Sequence, residues 1–385
     1  MSAIIPIAVS SNTQPLPRAL PAAIDHAAKP KDQLGRPLRD LRISVTDRCN
    51  FRCTYCMPRS VFTPDYPYLA RSELLSFDEI ARVAGIAVGL GVEKIRLTGG
   101  EPLLRKDLPR LVAQLAALPH APELTLTTNA ALLAKYAQPL KDAGLDRITV
   151  SLDALDDAVF KRMNDADYAV AQVLGGIDAA LAAGFKHIKV NCVVQRSVNL
   201  NQVLPLAAHF KGTGVTLRFI EFMDVGATNG WRMDEVVPSA HLVNLIHAVH
   251  PISPLGKHYA GEVAQRWQYD DSAADAGSEI GFISSVTQPF CGDCSRLRLS
   301  TNGQLFTCLF AQQGWDMRSL LRDAQVDDAH IAQRFAALWA QRRDQYSALR
   351  SAQTQTQTQT QTQTHTQIQT QIQIVPKVEM SFIGG

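Results

Sequence analysis

From Asp40 onward, short β-prone runs alternate with amphipathic helical patterns, and every β-prone run carries one polar face. That combination restricts the fold more tightly than any other feature of the chain. The β-prone runs cover residues 41–46, 94–98, 123–128, 147–153, 187–194 and 215–223, and helical patterns fill 76–90, 108–118, 131–143, 169–183 and 201–210. Ser76, with Glu79 three residues on, forms a capping box. Gly91, Gly144 and Gly184 follow helical runs, where C-terminal caps belong. Six βα units in series predict a parallel sheet with helices packed on it. Strands covered on both faces in such a sheet read as continuous apolar runs. These alternate instead. Leu41, Ile43 and Val45 oppose Arg42, Ser44 and Thr46, and Ile95 and Leu97 oppose Arg96 and Thr98. Thr125, Thr127 and Asn129 share a face, as do Thr149, Ser151 and Asp153. Lys189 and Asn191 oppose Ile188, Val190 and Cys192, and Arg218 opposes Leu217 and Phe219. Successive side chains point to opposite faces, so the apolar faces are expected on the helices and the polar faces on a shared interior. Six strands are too few to close an eight-stranded barrel. The expected fold class is therefore α/β, a partial, open six-stranded βα barrel around a polar cavity. Edge strands with one wet face are the plainer alternative.

The alternation stops near Ser253. Residues 262–269, 279–286, 296–300 and 304–309 read as short strands, followed by helices near 315–322 and 328–346. The organisation expected is a disordered leader over 1–38, the barrel over 39–252 and a C-terminal extension over 253–350. A low-complexity Gln/Thr linker at 351–376 and a Gly-Gly tail at 377–385 complete it. The apolar piece near the N-terminus lacks a basic start and is broken by Pro6, which argues against a signal peptide. No apolar run approaches the ~20 residues needed to cross a bilayer. A net charge of +2 over 385 residues gives no reason to expect nucleic acid or membrane as partner. A cytoplasmic location is expected.

Cys49, Cys53 and Cys56 follow the first strand in the spacing C-x3-C-x2-C. Thiolates are soft ligands that select iron–sulfur clusters, zinc or copper(I). A four-iron cluster normally takes four thiolates, so three leave one iron open. Zinc motifs more often pair one C-x2-C with another, and a disulfide knot suits a small secreted domain. Cys291, Cys294 and Cys308 form a second set of three with no histidine among them. It reads as a second cluster with an open iron, or as zinc with a fourth ligand elsewhere. Cys192, within an apolar strand, reads as a buried thiol. Seven cysteines in this clustered arrangement fit reduced metal ligands better than disulfides.

Tyr55 inside the first cysteine motif, and Gly99-Gly100-Glu101-Pro102 after the second strand, resemble the radical S-adenosylmethionine (SAM) superfamily. In that family SAM chelates the open iron and is cleaved by an electron from the cluster. Two glycines after a strand would let the backbone approach the amino-acid end of SAM. The runs 41–53, 97–103, 151–154, 218–226 and 291–298, with the Gly-Gly tail, narrow the likeness further. Over about residues 40–346, and again at 380–385, the chain resembles GTP 3′,8-cyclase, the molybdenum cofactor biosynthesis protein A family.

The resemblance implies two [4Fe-4S] clusters, one on Cys49, Cys53 and Cys56 that binds SAM and one on Cys291, Cys294 and Cys308 that holds GTP. It implies a 5′-deoxyadenosyl radical that takes the C3′ hydrogen of GTP, giving (8S)-3′,8-cyclo-7,8-dihydroguanosine 5′-triphosphate. SAM contacts then fall on Tyr55, Gly100, Ser151 and Met223. GTP contacts fall on Arg42, Arg96, Thr127, Lys189, Arg296, Leu297 and Arg298. Arg296, Arg298, Gly384 and Gly385 are the implied catalytic residues, the glycines as a tail entering the active site. The cations make physical sense, since arginine forks match phosphate oxygens. The implied partners are an electron donor such as a flavodoxin or ferredoxin, a downstream cyclic pyranopterin monophosphate synthase and a second copy in a homodimer. Two departures stand out. Ala130 occupies the place of an expected glycine after Asn129, and the Gln/Thr repeat directly precedes the tail. A longer tether costs little, ~0.6 kcal/mol per doubling. The rival readings are another two-cluster radical SAM enzyme, such as a peptide-modifying maturase, and a non-catalytic iron–sulfur or zinc protein.

Overall fold

The computed structural model describes residues 13–17, 29–259, 261–271, 279–350 and 377–384. The repeat at 351–376, Gly385 and most of the expected leader lie outside them. Within that leader segment, Thr13–Pro15 forms a first strand, β1. The six expected strands are β2 (Asp40–Ser44), β3 (Lys94–Thr98), β4 (Glu123–Thr128), β5 (Arg147–Ser151), β6 (Lys189–Val194) and β7 (Thr216–Glu221). They pair in parallel, in sequence order. Two later strands extend the parallel run, β10 (Glu279–Ile283) beside β7 and β11 (Arg296–Leu299) beside β2. Antiparallel strands finish both flanks. β9 (Gln265–Tyr269) and β8 (Ile252–Leu255) lie beyond β10, while β12 (Gln304–Phe306) and β13 (Gly314–Asp316) lie beyond β11, with β1 parallel to β13. Among the described residues these strands form one sheet.

The alternation of the sequence explains how that sheet is covered. Leu41, Ile43, Ile95, Leu97, Val150, Val190 and Phe219 are fully buried. Helix α1 (Phe77–Gly89) contributes Ile80, Val83, Ala84 and Ala87 to the same core, and the helix Val170–Ala182 contributes Val173, Ile177 and Ala180. Each fully buried aliphatic side chain is worth about 1.5–3 kcal/mol. The capping box appears as expected: Ser76 Oγ accepts from Glu79 N at 3.1 Å, and Glu79 Oε2 accepts from Ser76 N at 2.7 Å.

The opposite faces line up by register. Arg298 lies level with Arg42, and Arg42 with Arg96. Thr127 lies level with Thr149, Thr149 with Lys189, and Asn191 with Arg218. A band of cations and hydroxyls thus crosses the sheet. Because β11 runs parallel to β2, the cysteine loop after β2 and the one before β11 emerge at opposite ends of neighbouring strands. Those ends are on the order of 15 Å apart.

Some expectations needed correction. Residues 314–316 are a strand where a helix was expected from 315, and that helix runs instead over Arg318–Arg322. Trp315 pairs with Leu305 on one side and Gln14 on the other, so tertiary partners override the helical period. The long helix Asp328–Ala340 stops short of 346. The helices Asp157–Asn164 and Ser239–His247 were not foreseen, although the first is announced by Asp156, whose carboxylate accepts from Val159 N at 2.9 Å.

Candidate active site

The polar faces and both cysteine triplets open onto one cavity of about 350 Å³. Its walls include Cys49, Cys53, Cys56, Cys291, Cys294 and Cys308, and also Tyr55, Gly100, Ser151, Met223, Arg42, Arg96, Thr127, Lys189, Arg296 and Arg298. Met380 and Ser381 of the tail line it as well. Leu297 does not. Strand alternation turns Arg296 and Arg298 inward and buries Leu297 in the core, so position 297 has only main chain to offer a ligand. Gly385 lies outside the described residues.

The first triplet sits in a tight loop, with Cys56 N donating to Cys53 O at 2.9 Å. Arg52 straps it, donating to the carbonyls of Cys49 and Phe51 at 2.8 Å each. Gly99 and Gly100 serve this loop. A Cβ at Gly100 would collide with the Arg48 carbonyl, and one at Gly99 would lie 2.5 Å from Thr46 O. Gly100 N donates to Thr46 O, and Glu101 N to Arg48 O, each at 2.8 Å. The two glycines therefore serve the cysteine loop's own backbone as well as lining the cavity where a ligand is expected.

Behind them Glu101 is buried, accepting from Thr128 Oγ1 and Asn129 N at 2.7 Å each, and burial pushes its carboxyl up to about 7. Tyr55 donates its hydroxyl to Asp153 at 2.7 Å, and burial raises that carboxyl to about 6. Burial also pushes the Cys49 thiol up to about 12, with Glu101 adding to it, and raises Cys53 and Cys56 further. Ala130 has φ +61° and is fully buried, so alanine holds the left-handed turn where glycine was expected.

The second triplet stands among arginines. Arg296 donates to Cys294 Sγ at 3.4 Å. Burial pushes the Cys294 thiol up, but Arg296 and Arg342 outweigh it and bring it down to about 6. Burial keeps Cys308 high, at about 11. Two buried arginines grip the backbone of all three ligand segments. Arg36 donates to Cys291 O at 2.6 Å, and Arg342 donates to Cys294 O at 2.6 Å and Thr307 O at 3.0 Å. Asp32 joins them, 2.5 Å from Arg36 and 3.2 Å from Arg342, all three essentially without solvent.

Between the triplets lies positive charge. Arg96 donates to Thr127 at 2.9 Å and Thr149 at 3.1 Å, and Arg218 donates to Asn191 at 3.1 Å. Burial and mutual repulsion lower Arg42 to about 9, Arg96 and Arg218 to about 10, and Lys189 to about 7. Arginine keeps its proton even so. Burial is the largest cause of each shift and repulsion between the cations the next, and a bound polyanion would oppose both. Arg298 donates to the Gly384 carbonyl. Arg218, Arg36, Arg342 and Asp32 were not among the expected site residues. Arg218 shared the alternation that marked Lys189; the other three are joined only by the fold. Cys192 is buried apart from both triplets, near Asn199 Nδ2 at 3.6 Å, as a structural thiol should be.

Among the described residues, no three His, Cys, Asp or Glu side chains gather closely enough for a single metal ion. What each triplet offers is three soft donors on a cavity wall, a set suited to an iron–sulfur cluster with one open corner.

Family models match twice: Radical SAM superfamily over residues 43–209 and Molybdenum Cofactor Synthesis C over 215–348. A GTP 3′,8-cyclase of Acidothermus cellulolyticus is 52% identical over 361 residues, 92% of this chain and 99% of that one. Those of Xanthomonas campestris pv. campestris and Staphylococcus epidermidis are 53% and 48% identical, over 86% and 84% of this chain and 95% and 94% of theirs. The crystal structure of Streptococcus suis SuiB bound to precursor peptide SuiA shares the fold. It is 14% identical with a TM-score of 0.52, over 82% of this chain and 67% of that one. No described helix is long and apolar enough to cross a membrane.

Proposed function

This chain belongs to the GTP 3′,8-cyclase family of radical SAM enzymes, and from that premise we propose how its cavity divides the work. The enzyme acts on GTP in molybdenum cofactor biosynthesis, with a 4Fe-4S cluster and SAM as its cofactors. In our reading the parallel sheet is an open partial barrel. Cys49, Cys53 and Cys56 hold the SAM-binding cluster, and Cys291, Cys294 and Cys308 hold a second one. When bound, SAM and its cluster supply the one-electron chemistry that removes the hydrogen from ribose C3′.

The protein's own groups do the positioning. Tyr55, Gly100, Ser151 and Met223 wall the SAM end. Arg42, Arg96, Thr127 and Lys189, joined by Arg218, take the triphosphate, because charge-assisted bonds from fixed cations match its oxygens. Arg296 and Arg298, with the main chain at Leu297, take the end of GTP nearer the second cluster. Gly384 reaches Arg298 from the tail, and Gly385, next in sequence, is assigned to the same end of GTP. The observation that carries this reading is the band of cations, Arg42, Arg96, Arg218 and Lys189, on the wall of one cavity shared with two cysteine triplets.

The relatives' shared name disfavours a peptide-modifying role, since the likeness to SuiB is one of fold. A flavodoxin or ferredoxin as reductant, hand-off to a cyclic pyranopterin monophosphate synthase, a homodimer and a cytoplasmic location complete the proposal. Anaerobic incubation with reductant, SAM and GTP tests it. Formation of 5′-deoxyadenosine that depends on GTP, with about eight irons per chain, is expected. About four irons would remove the second cluster, and no GTP dependence would remove the division of labour.

A further inference from the structure

The repeat at 351–376 separates the body of the chain from the tail, and its composition fixes no destination for the tail. The residues on either side of it do. Arg350, just before the repeat, donates to Asp224 Oδ1 and, through its other terminal nitrogen, to the Ser285 carbonyl at 3.0 Å. Lys377, just after it, donates to Asp224 Oδ2 at 2.7 Å and to the Asp224 carbonyl at 2.8 Å. Tyr346 donates its hydroxyl to Oδ2 at 2.7 Å. One carboxylate thus collects both ends of the repeat. Lys377 also lies 4.6 Å over the Tyr346 ring, which stacks on Phe310 with centroids 4.5 Å apart. Burial would raise the Asp224 carboxyl, but Lys377, Tyr346 and Arg350 hold it below the usual range.

From that point the tail is guided step by step. Val378 N donates to Ala311 O at 3.0 Å, and Glu379 accepts from Ala227 N at 3.0 Å. A side chain at Gly226 would collide with Glu379. The short helix Met380–Ile383 then brings Met380 and Ser381 to the cavity, and the Gly384 carbonyl to Arg298. Asp224 directly follows Met223 on the cavity wall, so one loop serves both the cavity and the stem.

We propose that Asp224 is the positioning residue of the tail. It gathers Arg350 and Lys377 into a stem, so the tail's register in the cavity is set at residue 377 and is independent of the length of the repeat. Without the stem, the tail would hang on a long tether and meet the cavity only at the tether's effective concentration. With it, the placement of the tail is set by the contacts of Arg350 and Lys377 with Asp224. The proposal rests on the reading that the tail works in the active site.

The test uses the full reconstituted chain. In Asp224→Asn, amide exchange over 378–384 is expected to quicken at least about tenfold. GTP conversion should fall to that of a chain ending at Met380, and combining the two changes should lower it no further. Lys377→Met should act in the same way and serves if Asp224→Asn does not fold. Replacing 351–376 by about eight Gly/Ser residues, with ~25 Å of reach, should leave both readouts unchanged. Unchanged exchange in both point variants, additive losses with the truncation, or lost protection on shortening the repeat would overturn the proposal. If ending the chain at Met380 spares GTP conversion while Asp224→Asn still frees the tail, the tail's active-site role fails and the stem stands.

Discussion

The two cysteine triplets have the same ligand count and different neighbours, and the difference is sharpest at Cys294. Burial raises the first set, and Glu101 and Asp153 add to it. In the second, Arg296 and Arg342 overcome burial and draw Cys294 down to about 6. Ligand spacing therefore says what each loop can hold, whereas the neighbouring strand faces say what gathers beside it. In the reading proposed above, the buried acids Glu101 and Asp153 lie at the SAM end, the cations Arg42, Arg96, Lys189 and Arg218 face the triphosphate, and Arg296 and Arg298 face the other end of GTP.

The most severe test of this contrast removes one thiol from each set. Cys53→Ala should abolish 5′-deoxyadenosine formation, while Cys294→Ala should keep SAM binding and lose GTP conversion. Each should lose about four irons per chain. If Cys294→Ala also lost SAM, the two ends would not be separable. Next in size, Arg298→Ala should lower kcat/KM for GTP by ~10²–10³-fold with SAM affinity unchanged. Arg298→Lys should recover little of this, because a point charge cannot replace the fork.

A smaller effect concerns Lys189, brought to about 7 by burial and by the nearby Arg218 and Arg147. Below that value the free enzyme already carries this charge. Above it, binding triphosphate must take up a proton, so KM for GTP should rise with pH from about 7, by at most about tenfold per unit. Lys189→Arg should flatten the rise in a KM profile. The smallest effect lies at Ala130. Glycine there would relieve about 1 kcal/mol of left-handed strain and lose a buried methyl worth about 0.8 kcal/mol. The unfolding free energy from urea melts should therefore change by less than ~0.5 kcal/mol in Ala130→Gly, with the second triplet untouched.

The strands, their parallel order and most of the cavity were legible because alternation is a local signal. Arg42, Arg96 and Lys189 could be placed on the inner face from period two alone. So could the capping box at Ser76, from its own four residues. What stayed hidden depends on partners distant in sequence. Trp315 looks helical until Leu305 and Gln14 flank it. Asp32 and Arg36 sit in a segment set aside as leader, and only their meeting with Arg342 gives them a task. The glycines after β3 stand out in the sequence, but their close approach to the Thr46 and Arg48 carbonyls depends on how the first cysteine loop folds over them.

The grip of Asp32, Arg36 and Arg342 on the second cysteine loop also has a consequence in time. Chains fold from the N-terminus as they leave the ribosome. The first cysteine loop, with β2 to β7 around it, is complete once residue 221 has emerged. The second loop waits for Arg342 to close on a segment made at the very start of synthesis. The two loops are therefore completed in a fixed order, and a stalled nascent chain lacking residue 342 should lack the arginine grip on the second loop.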